Sequence, residues 1–362
     1  MGDFVTRIFM IGYSNDKGGV ESYIMNLYHQ LKDKYEFVFC WPEMEIGGKK
    51  WVCPKNRHNY IKYYLFWRRF FKKNRFDVIY YNTCDIVSID MLRFAKKAGI
   101  PVRIIHSHST GIQQAIGKNL SLLHRIAEKN NHKNLDKYAT HLFACSEAAG
   151  KWMFDNRDFK IIKNGINLNK YKFNLEHRNS CRKELNMEQK ILIGCVGRLD
   201  AEKNPFFSIG VFNELLKKHS DAALLFIGDG ALGTELKKEV AAKELDGQIK
   251  FLGARDDVNK WLSAMDCLLM PSFFEGLPFV LIEAQASGLS CVVSSEVSQE
   301  ANITGLVEYI DLDADKQQWA DRLIELSKKE RIDTADSLIE SGYAIEATAE
   351  LVSKIIDTAL GE

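Results

Sequence analysis

The chain has 362 residues, 46% of them hydrophobic, and its 49 Lys and Arg against 48 Asp and Glu leave a formal net charge of +1. That length exceeds one ordinary core and suits two domains, while the charge balance supplies no global field for nucleic acid. The eight cysteines form no C-x-x-C pair and several lie in apolar strand-like runs, which argues for buried thiols in a reducing cytoplasm rather than a disulfide framework. The opening MGDFVTRIFMIGYS enters a strand without the basic, apolar, cleavable order of a leader. No apolar run approaches the roughly 18 residues of a membrane span.

In chain order, strand-like runs fall at 7–13, 36–41, 77–82, 102–108, 141–146 and 160–165. A second series falls at 191–197, 223–230, 249–254, 267–272, 291–296 and 306–310. Amphipathic helical patterns alternate with them, which predicts an α/β chain of parallel sheets with helices on both faces. The two series meet in a polar, charged stretch, 167–190. The domains are therefore expected at 1–167 and 168–343, with a last helix at about 344–362 that either stays with the second domain or returns to the first. No low-complexity segment and no repeat beyond this likeness of layout is visible.

The first strand feeds Gly12-Tyr-Ser-Asn-Asp-Lys-Gly18-Gly19-Val-Glu21, a double glycine before a helix. It serves either a tight turn or a close approach of bare backbone to a ligand. Tyr60 to Phe76 interleaves aromatics with Lys and Arg at helical spacing. Its aromatics would pack on the sheet with the cations in water, or its face would bind an anionic membrane surface. The run at 102–108 ends in His106-Ser-His108, and strand alternation puts both imidazoles on one face. They read as a structural pair, as metal ligands, or as polar groups at a reacting centre. The other histidines show no ligand spacing, so no metal site is expected.

In the second half, the strand at 191–197 runs into Arg198-Leu-Asp-Ala-Glu-Lys203-Asn204-Pro205. Two cations thus lie on a loop between a strand end and a helix, where α/β folds bind phosphate. Alone, such a loop is as readily solvated. Gly228-Asp-Gly230-Ala-Leu-Gly233 follows a strand and precedes a helix, as a dinucleotide-binding fingerprint does, and Arg255 follows the next strand, where an NADP enzyme keeps a phosphate ligand. This dehydrogenase reading is weakened because the loop follows the second strand of its half. It also accounts for neither the two cations nor the carboxylates downstream.

Those carboxylates are Glu275, in the loop after CLLMP, and Glu283, inside the apolar run PFVLIEAQA of a helix that opens at Pro278 and stops at Gly288. An ionised Glu283 buried without partners would cost several kcal/mol. Either a Lys or Arg neighbour or a polyol ligand would satisfy it. Asp311-Leu-Asp313 has a D-x-D pattern, but beyond both sheets it reads as a surface turn.

Glu275-x7-Glu283 with its small-residue helix resembles the signature of the retaining family 4 glycosyltransferases. Gly197-Arg198-x4-Lys203-Asn204 matches that family's G-R-x-x-x-x-K-N pattern, and the G-x-G and G-G-x-E loops are similar to its own. The likeness is strong over Gly194 to Ser295, weaker in the first half, and extends to bacterial capsular and exopolysaccharide enzymes. It implies a GT-B fold, two facing Rossmann-like domains with a deep interdomain cleft, the first on the acceptor side and the second binding a nucleotide sugar. It implies that Arg198 and Lys203 hold the diphosphate, Glu283 the ribose, and Glu275 with the Gly276 and Leu277 amides the sugar. Gly228 and Gly230 would border the nucleotide, Gly18 and Gly19 would face the donor phosphate, and His106 or His108 would act with Glu275 at the reacting sugar.

The donor expected from the resemblance is UDP-hexose or UDP-N-acetylhexosamine, and the acceptor a saccharide or lipid-linked saccharide. Transfer would proceed with retention, by front-face attack with the leaving phosphate as base. Neither metal nor other cofactor is expected, because the cations and helix N-termini meet the diphosphate charge. The setting is cytoplasmic, with Tyr60 to Phe76 as a candidate contact with the inner face of the membrane. Two alternatives share this architecture: a sugar-nucleotide epimerase, and a nucleotide-sugar-binding module without turnover.

Overall fold

In a computed structural model, the described residues are 5–14, 18–54, 59–109 and 122–361. The chain divides into two compact units, Met1–Gly165 with Ile345–Glu362, and Ile166–Ala344. The break falls two residues before the boundary expected at 167, and the last helix belongs with the first unit.

Unit 1 is built on β1 (Arg7–Ile11), β2 (Glu36–Phe39), β5 (Val78–Thr83), β6 (Val102–Ser107), β7 (His141–Ala144) and β8 (Lys160–Ile161). They pair in parallel in the order β2-β1-β5-β6-β7-β8. An antiparallel hairpin, β3 (Glu43–Ile46) and β4 (Lys49–Val52), stands apart from this sheet and was not expected. Its turn is Gly47-Gly48, both at positive φ, the geometry that two-residue hairpin turns require. The helix Tyr60–Lys73 buries Tyr63, Trp67, Phe70 and Phe71, with Phe9 of β1 in edge contact with Trp67 and Phe71. Its cations and Ile61, which is 71% exposed, face outward. The closing helix Ile345–Leu360 is held in the same unit where Tyr35 Oη meets Ser353 Oγ at 2.8 Å and donates to Asp357 Oδ1 at 2.6 Å.

Unit 2 is built on β9 (Ile191–Val196), β10 (Ala222–Ile227), β11 (Ile249–Phe251), β12 (Cys267–Met270), β13 (Cys291–Ser294) and β14 (Val307–Ile310). Their order is β11-β10-β9-β12-β13-β14 and all pair in parallel. Such sheets are covered on both faces, so their strands are apolar throughout rather than alternating. All of β10 is buried: Ala223, Leu225 and Ile227 enter one core, and Ala222, Leu224 and Phe226 the other. The winding reverses between β9 and β12, the kind of place where open α/β sheets bind ligands. Among the described residues no helix is long and apolar enough to cross a membrane.

The polar stretch after residue 167 is folded rather than a linker. It forms the helices Leu168–Tyr171 and Leu175–Glu184, capped by Asn167 accepting from Lys170 N and Asn174 accepting from His177 N. Its arginines turn inward: Asp266, just before β12, accepts from Arg178 Nη2 at 2.6 Å, Arg182 Nη2 at 2.5 Å and Leu192 N at 2.8 Å. Arg182 is buried, so losing this carboxylate strands a cation and an amide together. Asp266→Ala is expected to destabilise unit 2 by about 3–5 kcal/mol. Urea unfolding followed by circular dichroism should show a lower midpoint at an unchanged slope.

Candidate active site

The loops that leave β9 and β12 carry the main predicted residues to the reversal point of the second sheet. After β9, Asp200 caps a short 3-10 turn, Ala201–Lys203, by accepting from Lys203 N. Asn204 then takes the left-handed conformation, which Asn tolerates better than most side chains, and Pro205 opens the helix Pro205–Leu216. This backbone sends the two cations different ways. Arg198 is 66% exposed along its side chain and lies 3.2 Å from Asp200 and 4.0 Å from Glu202. Lys203 turns inward and pairs its Nζ with Glu275 Oε1, across 72 residues of sequence.

Glu275 is 6% exposed and its backbone is anchored. Its carbonyl accepts from Ser298 N at 3.0 Å, it bridges Val297, and nearby Phe273 N donates to Glu202 O at 2.9 Å. The loop after β12 is thereby tied to the turn that carries Lys203. Gly276 and Leu277 follow, before the helix Phe279–Ala286, and their amides donate to no carbonyl or side chain among the described residues. A hollow lined by Gly197, Arg198, Lys203, Met270, Pro271 and Ser272 opens at these strand ends.

Glu283 lies on the buried side of Phe279–Ala286. Burial raises its pKa, while hydrogen bonding from Tyr171 and the charge of Lys170 oppose the shift. The partner is thus a phenol with a lysine behind it, rather than the simple Lys or Arg pair. Tyr171 escaped the sequence reading because it lies more than a hundred residues upstream, in a stretch that reads as linker.

Gly228 and Gly230 have a packing cause. A Cβ at Gly228 would sit 2.0 Å from Gly197 O, and one at Gly230 would sit 2.3 Å from Leu199 O. Their loop and the Arg198 loop touch backbone to backbone, with Leu199 N donating to Asp229 O at 3.0 Å. Arg255 is bound to Asp257 at 2.7 and 3.0 Å and lies over Trp261, so a structural partner occupies the group that the dehydrogenase reading required. Asp311 Oδ1 accepts from Asp313 N in an exposed turn. Among the described residues no three His, Cys, Asp or Glu side chains gather as a metal centre requires.

Unit 1 holds the other two predicted motifs. Residues 15–17 of the first glycine loop lie outside the described residues, but the Glu21 carboxylate folds over Gly18, where an added Cβ would meet its Oε2 at 2.7 Å. The helix start at Gly18 and Gly19 therefore has the Glu21 carboxylate beside it, where Glu21 Oε1 accepts from Ser14 Oγ at 2.6 Å. The two histidines also differ. His106 is wholly buried among Tyr23, Tyr80 and Phe143, with Nδ1 3.1 Å from Tyr80 Oη. Of the two imidazoles offered for the reacting centre, His106 is thus the enclosed one. His108 is half-buried against it, with ring centroids 4.1 Å apart. Asn82 donates its Nδ2 to Ile11 O, so its Oδ1 faces His108 Nε2 at 2.9 Å and that nitrogen carries the proton. Asn82 was missed, although a lone amide at the end of its apolar run was a legible signal.

Two parallel α/β units of this kind are the architecture of the GT-B glycosyltransferases. Residues 17–170 match the family model described as Glycosyltransferase Family 4, and residues 177–345 match the one described as Glycosyl transferases group 1. The chain belongs to the family 4-like glycosyltransferases. It is 28% identical over 364 residues to EpsF of Bacillus subtilis (strain 168), named as a glycosyltransferase, covering 93% of this chain and 92% of that one. It is 25% identical over 229 residues to an Escherichia coli UDP-Gal:alpha-D-GlcNAc-diphosphoundecaprenol alpha-1,3-galactosyltransferase, covering 62% of this chain and 59% of that enzyme. In fold it is similar to Anabaena HepE in complex with UDP and glucose, with a TM-score of 0.75 at 15% identity over 97% of this chain and 99% of that one.

Burial pushes His106 well below the usual value of 6.5 and His108 down to about 3. Both are neutral in the folded chain, whereas the unfolded chain protonates them below about pH 6.5. The unfolded state then binds the extra protons, so stability present above that pH is lost as pH falls toward 3. Between pH 7 and pH 5 the unfolding free energy should drop by about 1–2 kcal/mol for each imidazole. The double variant His106→Gln, His108→Gln should lose most of that slope in urea titrations at the two pH values. An unchanged slope would assign it to other groups.

Proposed function

We propose that this chain transfers a hexosyl or N-acetylhexosaminyl group from a UDP-sugar to a saccharide or lipid-linked saccharide during assembly of a bacterial surface polysaccharide. The observation that carries the reading is the meeting of Lys203, Glu275 and the free Gly276 and Leu277 amides at the ends of β9 and β12, with Arg198 beside them. Cations there suit a diphosphate, and a buried carboxylate with amides beside it suits a polyol. Supporting it, the Escherichia coli relative takes UDP-Gal and a diphosphoundecaprenol-linked sugar by its name, and HepE was crystallised with UDP and glucose.

In this reading Arg198 swings from Asp200 to join Lys203 on the diphosphate, Glu283 accepts the ribose hydroxyls, and Glu275 with the two amides orients the sugar. Bond cleavage leaves negative charge on the diphosphate, and fixed cations stabilise it where it develops. The cations do so without a metal ion. His108 rather than His106 serves the reacting centre, and the sugar is transferred with retention. The outward face of Tyr60–Lys73, with Lys62, Arg68, Arg69, Lys72 and Lys73 beside Ile61 and Leu65, rests on an anionic lipid surface.

Calorimetry in EDTA against UDP, GDP, ADP and their sugar conjugates, with NADPH alongside, tests the reading. One nucleoside diphosphate and its sugar should bind, and Lys203→Ala should weaken both by about 1.5–3 kcal/mol, the size of a charge-assisted contact. Glu283→Gln should mainly raise the donor KM. Binding of NADPH alone, or of no nucleotide, would overturn the proposal.

A further inference from the structure

Lys203 and Glu275 were assigned on separate grounds to the diphosphate and to the sugar, yet they touch. Any phosphate oxygen bound by Lys203 Nζ therefore comes within a side chain's reach of a carboxylate. That carboxylate is nearly sealed from water and has no easy retreat. Its carbonyl is bonded to Ser298 N, its backbone bridges Val297, and Phe273 fastens the same loop to Glu202, next to Lys203. The chemistry of whatever the terminal phosphate carries must then suit Glu275.

We infer that Glu275, held against Lys203, makes this site favour a glycosylated terminal phosphate over a bare one, an inference that rests on the donor site proposed above. A bare terminal phosphate carries an extra negative charge and offers Glu275 little to accept from, so like charges meet where screening is weak. A hexosyl ester has lost that charge and brings hydroxyl donors in its place. The nucleoside diphosphate left after transfer is therefore the poorer occupant, and the carboxylate that orients the sugar also promotes release of the product. Specificity of this kind comes from a repulsive element as much as from an attractive one.

The test is calorimetry of the full chain with UDP and UDP-glucose, or with GDP and GDP-mannose if the uridine pair does not bind. Glu275→Gln should bind the bare diphosphate more tightly and the sugar nucleotide more weakly, shifting the ratio of their affinities by about tenfold or more. Glu275→Asp, which keeps the charge, should hold the ratio near that of the unsubstituted chain. Lys203→Ala should weaken both ligands and, because it leaves Glu275 without its counter-charge, the bare diphosphate more. If Glu275→Gln does not fold, the unsubstituted chain still decides: it should bind the β-methyl ester of UDP, or of GDP if the guanosine pair binds, severalfold more tightly than the free diphosphate. A ratio unmoved by Glu275→Gln, or an ester bound no better than the free diphosphate, would overturn the inference while leaving the donor site standing. Binding of none of these nucleotides would remove the donor site and the inference with it.

Discussion

A partly buried ion pair joins the two loops that leave the second sheet where its winding reverses. At that point neighbouring strands send their connections to opposite faces, so the loops after β9 and β12 diverge and would leave an unfilled notch. Lys203 and Glu275 bridge the notch with opposite charges, and the bonds of Phe273 to Glu202 and of Ser298 to Glu275 lock the loops beneath them. Much of the rest follows from this contact. It sets a cation against a carboxylate just before Gly276 and Leu277, whose amides donate to no carbonyl or side chain among the described residues.

The support for that pair is mostly backbone. The Arg198 loop and the Gly228 loop approach so closely that neither Gly228 nor Gly230 can carry a Cβ. Asn204 supplies the left-handed turn that swings Lys203 inward while Arg198 stays in solvent. A fingerprint that suggests a nucleotide cradle by its spacing therefore acts first as a spacer that holds the Arg198 loop in place. Side chains that resemble ligand contacts have structural work of their own as well, as Arg255 does on Asp257 and Trp261.

Unit 1 buries polarity differently, in neutral hydrogen-bonded groups. Tyr23, Tyr80 and His106 form a chain of neutral hydrogen bonds, and His108 and Asn82 form a second beside it. Burial keeps both imidazoles uncharged, so neither repels the other at a 4.1 Å separation. The arrangement positions His108 through its neighbours, which makes its surroundings as important to its orientation as its own strand.

Each strand of the two parallel sheets was legible, because strands buried on both faces must be apolar runs and helical periodicity separates them. The hairpin at Glu43–Val52 was passed over although Gly47-Gly48 marks its turn, since its strands are short and charged on one side. The motif residues Arg198, Lys203, Glu275 and Glu283 could be singled out from local chemistry: cations at a strand end, carboxylates where apolar neighbours make charge costly. Local sequence could not say which of them meet. The Lys203–Glu275 contact, the Tyr171 partner of Glu283, the shielding of His106 and the carboxylate over Gly18 all depend on which segments the strand order brings side by side. By itself the sequence determined the strands, the helices and the chemical character of the site. The tertiary structure alone decided the partners and the exposure, because these are set by packing between residues far apart in the chain.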